Sequence, residues 1–138
     1  MEGLLAIEDE SRRGGTAAWA VLDEAFFARK IAHDEILVAI GDGVLGYLAW
    51  TRLWRLPWIE FVRVLEENRR EGVGTALARA LEDDLRAGGG HVLVSSSTGT
   101  DEDAIEWHRA MGYADGGRIE WRIWGRGIPR EVLHYKEL

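Results

Sequence analysis

The chain has 138 residues, no cysteine, 46% apolar residues and a formal net charge of -7. A length of this order supports one hydrophobic core and a single domain over residues 1–138, and the missing cysteines exclude disulfides, thiolate metal sites and an acyl-cysteine intermediate. The acidic balance argues against nucleic acid as a partner, and without a signal-like N-terminus or any apolar run of about 20 residues the expectation is a cytoplasmic protein with no membrane span.

Gly3 to Glu8 reads as a short first strand and Glu8 to Gly15 as a polar loop. From Thr16, a capping residue, the apolar positions Trp19, Ala20, Leu22, Phe26, Phe27 and Ile31 give a helical stripe that core packing alone would explain. Glu35 to Ile40 and Val44 to Leu53 are strand-like runs joined by Gly41-Asp42-Gly43, a turn composition that predicts an antiparallel hairpin. Trp50, Trp54 and Trp58 gather around a turn at Pro57, part of a set of seven tryptophans that implies large aromatic walls. Trp58 to Leu65 is then nearly all apolar, as in a central strand covered on both faces. Glu60 interrupts it, on the face shared by Trp58, Val62 and Val64.

Glu66 to Glu71 is a polar loop, and the helix that follows carries Val73, Leu77, Ala80, Leu81 and Leu85 on one stripe until Gly88-Gly89-Gly90 stops it near Ala87. His91 to Ser95 is a short buried strand, so strand, helix and strand form a right-handed crossover with parallel pairing. Asp101-Glu102-Asp103 opens a second helix, where acids suit the positive end of the dipole, and it ends near Gly112. Arg118 to Trp124 alternates as a strand, Gly125-Arg126-Gly127 turns, and Ile128 to Lys136 returns. The fold class is α/β (α+β), with a mixed, mainly antiparallel central sheet flanked by helices.

The chemistry concentrates at Arg69-Arg70-Glu71-Gly72-Val73-Gly74-Thr75, a basic glycine loop between a strand and a helix start. The first turn of a helix exposes unpaired N–H groups and about half a positive charge, which suits anions, phosphates above all. Glycines let the backbone come close to a ligand, and arginines supply multidentate donors for phosphate oxygens. A P-loop would need a lysine after its last glycine, and none follows. A dinucleotide fingerprint would need a third glycine where Leu77 stands, and an acid about 20 positions on, where Ser95-Ser96-Ser97 stands. A nucleotide-binding oxidoreductase is therefore disfavoured.

The remaining pattern, Arg69-x-x-Gly72-x-Gly74 opening a helix, resembles the signature with which the GNAT family of N-acetyltransferases holds the pyrophosphate of acetyl-coenzyme A. Asp101-x-x-Ala104-x-x-Trp107-His108-x-x-x-Gly112-Tyr113 is similar to the family's second signature, and Gly127 to Lys136 to the last strand of small bacterial members. The resemblance runs from about residue 35 to the C-terminus. It implies acetyl-CoA as co-substrate, bound by Val64, Leu65, Arg69, Arg70, Gly72, Val73, Gly74 and Thr75, with Val64 and Leu65 offering backbone donors to the thioester carbonyl. Asp101 stands where the family usually has an asparagine facing the pantetheine arm. The stripe of Trp19, Phe26 and Phe27 falls where members often line the acceptor site.

Direct transfer of an acetyl group to a primary amine needs a base for the amine and a proton for the departing thiolate. Glu60, on a strand beside the loop, is the candidate base, with Glu66, Glu102 and Glu106 behind it. His108 stands at the position of the family's usual tyrosine and would donate as an imidazolium; Tyr113 follows the glycine as the next donor. His33, His91 and His134 show no metal-ligand spacing, so no metal is expected. The acceptor is expected to be an amine-bearing small molecule or peptide, and many small members form homodimers, for which exposed tryptophans would serve. The competing reading is an acyl-CoA-binding module that senses without turnover, favoured by the departures at Asp101 and His108.

Overall fold

The computed structural model describes residues 1–14, 22–120 and 130–138. Among these, six strands form one sheet in the order β1-β2-β3-β4-β6-β5. The strands are β1 (Ile36–Ile40), β2 (Val44–Leu53), β3 (Leu56–Val64), β4 (Val92–Thr98), β5 (Ala114–Ile119) and β6 (Glu131–Glu137), and the helices α1 (Glu2–Arg13), α2 (Glu24–Ala32), α3 (Val73–Ala87) and α4 (Glu102–Ala110) cover both faces. Every pairing is antiparallel except β3 with β4. No helix among the described residues is long and apolar enough to cross a membrane.

The first thirteen residues correct the sequence reading, because Gly3 to Glu8 is helix and not strand, and helix continues to Arg13 in place of a loop. The buried positions Leu4, Ile7, Glu8 and Ser11 recur at helical spacing. Two of them are polar, so the stripe is not visible as hydrophobicity. Tyr47 donates to the Glu8 carboxylate, and Arg63 Nε lies 3.1 Å from Glu8 Oε1, which compensates the buried charge. The second helix begins at Glu24 with Asp23 as its cap, accepting from Phe26 N at 2.9 Å. Thr16 and Trp19 lie outside the described residues.

The β1–β2 hairpin forms as expected. The next turn sits at Trp54-Arg55 and not at Pro57, which lies inside β3; both turn residues are left-handed, with φ of 52° and 66°. That is the backbone of a two-residue primed turn, and without glycine it costs on the order of 1 kcal/mol or more per residue. Trp54 packs edge-on against Trp58 with centroids 5.9 Å apart.

α3 and β4 follow the expected crossover, with β4 running three residues past the expected end at Ser95, and Ser95 and Ser97 buried within it. The strand expected over Arg118 to Trp124 begins instead at Ala114, and past a bulge at Gly116 its Gly117 pairs with Leu133 of β6. Its later residues, with Gly125-Arg126-Gly127, lie outside the described set. One core of Leu48, Ile59, Leu77, Leu81 and Leu93 lies on the α3 face. A second, of Leu4, Ile7, Phe27, Tyr47 and Ala49, lies under α1 and α2.

Candidate active site

Gly72 is the N-cap of α3 and adopts a left-handed φ of 84°. No side chain caps this helix and no acid sits in its first turn, so the amides of Val73, Gly74 and Thr75 are left for an external acceptor. A Cβ at Gly72 would meet nothing within 4 Å, and one at Gly74 would first meet Val62 Cγ1 at 3.5 Å. Arg69 Nε donates to Val64 O at 3.2 Å, and both Arg69 and Arg70 are exposed. Arg70 is itself left-handed, with φ of 64°. Uncapped amides, open space over Gly72 and two exposed guanidinium groups fit a pyrophosphate.

The loop opens into a cleft of about 420 Å³ between β3 (Ile59, Glu60, Val62, Val64), β4 (Ser95, Ser96), α3 and α4 (Ala104, Trp107, His108). Among the described residues the only register pair joining β3 and β4 is Trp58 with Val94. Toward their C-terminal ends the two parallel strands share no ladder, and the cleft occupies that gap. Trp107 Nε1 donates to Thr75 Oγ1 at 3.1 Å and ties α4 to the start of α3. A larger concavity, about 700 Å³, lies between Trp50, Arg55, Asp84 and His91 and holds none of the residues expected to bind acetyl-CoA or the acceptor or to move a proton. The loop, Glu60 and His108 all line the smaller one.

His108 lines the cleft but is buried, and both ring nitrogens are committed. Nδ1 lies 2.7 Å from Ala104 O, which can only accept, so Nδ1 carries the hydrogen; Nε2 then accepts from Ser95 Oγ at 2.7 Å. Burial lowers its pKa to about 4, and the neighbouring His134 adds in the same direction. The two rings stack at 4.1 Å and 9°. His134 is likewise lowered by burial, with Ser97 Oγ 2.7 Å from its Nε2. A ring held neutral in this way is no store of protons near pH 7, which removes the imidazolium expected from the sequence. Tyr113 does not replace it: it is buried behind the cleft, its hydroxyl donates to Glu82 at 3.2 Å, and burial pushes its pKa up.

Glu60 lines the cleft and is solvent-exposed. Its Oε2 lies 2.7 Å from Nζ of Lys30, a residue of α2. Phe26 is half-buried, edge-on to Phe61 at 6.0 Å and with Lys30 Nζ 5.8 Å from its ring. Phe27 is fully buried against Tyr47 and belongs to the core, so it cannot touch a substrate. Leu65 packs with the α1 and α2 core, and its N–H is already donated to Leu45 O at 2.9 Å, which removes it as a donor to a bound carbonyl. Asp101 caps α4, accepting from Ala104 N at 3.0 Å, and does not line the cleft. Ser95, Trp107 and Lys30 went unread. The signal for Ser95 was present, since hydroxyls in an apolar strand need buried partners and histidines are such partners.

A family model described as Acetyltransferase (GNAT) family matches residues 4–113. An L-methionine sulfoximine/L-methionine sulfone acetyltransferase of Pseudomonas paraeruginosa is 32% identical over 135 residues, covering 86% of this chain and 77% of that protein. Its Pseudomonas aeruginosa counterpart is 28% identical over the same shares. Among solved structures, a ribosomal-protein-alanine N-acetyltransferase from Brucella melitensis superposes with a TM-score of 0.81 at 22% identity, over 99% of this chain and 93% of that one. A Salmonella typhimurium protein solved with its cofactor acetyl-CoA gives 0.81 at 20% identity, over 99% and 87%.

Proposed function

Because the chain belongs to the GNAT acetyltransferase family, and is thus an acyl-CoA-dependent N-acetyltransferase, we propose that it acetylates the primary amine of a small molecule, with Glu60 receiving the proton of that amine. The observation that carries this is the meeting, in one cleft, of the uncapped start of α3 with a carboxylate on β3. The amides of Val73, Gly74 and Thr75, with Arg69 and Arg70, hold the pyrophosphate of acetyl-CoA. Acetyl-CoA, when bound, supplies the activated acyl carbon. Val64 keeps its place at the acyl end of the cleft, and Glu60 takes a proton as the amine nitrogen forms its bond to that carbon and the carbon–sulfur bond breaks. A thiolate is a good leaving group, so the neutral His108 need not act as acid. Its hydrogen bonds fix the wall formed by Ser95 and α4.

The relatives' names support a small acceptor bearing an α-amine, and the net charge of -7 favours cations. One feature favours binding without turnover, the commitment of both His108 nitrogens. A panel of primary amines that includes L-methionine sulfone and L-methionine sulfoximine, incubated with acetyl-CoA and a thiol reagent, decides between the two. Acceptor-dependent thiol release is expected. Tight acetyl-CoA binding by calorimetry with no release for any amine would make the protein a sensor.

A further inference from the structure

Lys30 is an ammonium placed where a lysine is rarely found, with its side chain only 5% exposed on the inner face of α2. All three of its protons are taken: Glu35 Oε2 lies at 3.0 Å, Glu60 Oε2 at 2.7 Å and Trp50 O at 2.6 Å. Among the described residues neither carboxylate has another ion-pair or hydrogen-bond partner for its side chain. One oxygen of Glu60 is therefore anchored, and the other is left toward the cleft. With two carboxylates on one ammonium, the cluster carries one negative charge in excess.

We propose that Lys30 is a positioning residue for the transfer reaction: it fixes the Glu60 carboxylate through one oxygen, presents the other to the acceptor's amine, and leaves the cluster with the single excess negative charge that selects acceptors arriving as cations. This rests on the reading of Glu60 as the acceptor-side carboxylate. The charged and titratable groups facing Glu60 are Lys30 from α2, Glu35 from the segment before β1, and Arg69, Arg70 and His108 across the cleft. Lys30 is the one in direct contact, so its loss should dominate. The Phe26 ring lies beside the ammonium, with its centroid 5.8 Å from Lys30 Nζ.

The test uses Lys30→Met, Lys30→Arg, Glu35→Gln and Glu60→Gln, with acetyl-CoA and whichever amine of the panel turns over fastest. A carboxylate freed from its anchor turns away from the acceptor's amine, so Lys30→Met should lower kcat by about tenfold or more, and more than it raises KM. Lys30→Arg should restore most of kcat, and acetyl-CoA affinity should stay as in the parent. Independently of any acceptor, the side-chain carboxyl ¹³C resonance of Glu60 at one fixed pH, identified by its loss in Glu60→Gln, should shift in Lys30→Met and return toward the parent position in Lys30→Arg. An unchanged kcat with an unmoved resonance would overturn the proposal. Should Lys30→Met not fold, Glu35→Gln, which leaves the ammonium to Glu60 and the Trp50 carbonyl, must move the same resonance. Full kcat in Glu60→Gln would instead sink the reading of Glu60 as base, while the resonance still reports whether Lys30 holds it.

Discussion

At the scale of single residues, His108 departs furthest from what its position in the sequence suggests. Its ordinary pKa of about 6.5 falls to about 4 because the ring is buried. The unfolded ring takes up a proton below about pH 6.5 that the folded ring refuses, so this contribution to stability is complete above pH 6.5. It shrinks as pH falls and is gone near pH 4, where the folded ring is protonated too; its full size is on the order of 3 kcal/mol. Thermal unfolding midpoints should drop between pH 6.5 and 4, and His108→Asn should flatten that slope, with His134 supplying what is left. In turnover the sign differs from that of an imidazolium donor: kcat should not fall as pH rises through 6.5. A loss of kcat centred there, abolished by His108→Gln, would restore His108 as the acid. From the sequence alone the position could be named but not its protonation, because that depends on Ala104, Ser95 and His134 closing around it.

At the scale of elements, the glycine loop and α3 were legible because each local preference agreed: apolar strand, glycines at the turn, uncapped helix start. α1 was not, because two of its four buried positions, Glu8 and Ser11, are polar, and Glu8 takes its partners from β2 and β3. The start of the Ala114–Ile119 strand was hidden for the opposite reason, since Gly116 and Gly117 carry no side chains to show an alternation while β6 supplies the pairing that makes it a strand. The role of the α3 start can be tested at Gly74, whose Cβ position has only ordinary contacts. Gly74→Val should fold with a circular dichroism spectrum like the parent's. Branched carbon over the amides should still weaken acetyl-CoA binding at least tenfold, about 1.4 kcal/mol, by calorimetry. Unchanged affinity would place the pyrophosphate elsewhere.

At the scale of the whole molecule, the sheet is two halves. β1, β2 and β3 lie with α1 and α2, and β4, β6 and β5 with α4. Between them run the helix α3, its Thr75 bond to Trp107, and one strand pair at Trp58 and Val94. A ligand bridging the gap stabilises only the state in which both halves are docked, by about 2.7 kcal/mol at a concentration a hundred times its Kd. Amide exchange in the free protein should therefore separate β3 residues 59–64 from β4 residues 95–98. Saturating acetyl-CoA should slow both sets by a common factor. Protection confined to one half would mean that the ligand does not span the gap.

That gap has a consequence for how the protein behaves in company. A row of unpaired strand amides is ordinarily an invitation to aggregate, and proteins blunt it with charge, proline or bulges when it lies at the rim of a sheet. Here, among the described residues, the unpaired row runs along β3 in the middle of the sheet, flanked by β2 and β4 and roofed by α3 and α4. A strand from another molecule would have to enter it end-on, through an opening that the start of α3 already narrows. An extended small ligand can reach such amides where a strand of another copy of the chain cannot.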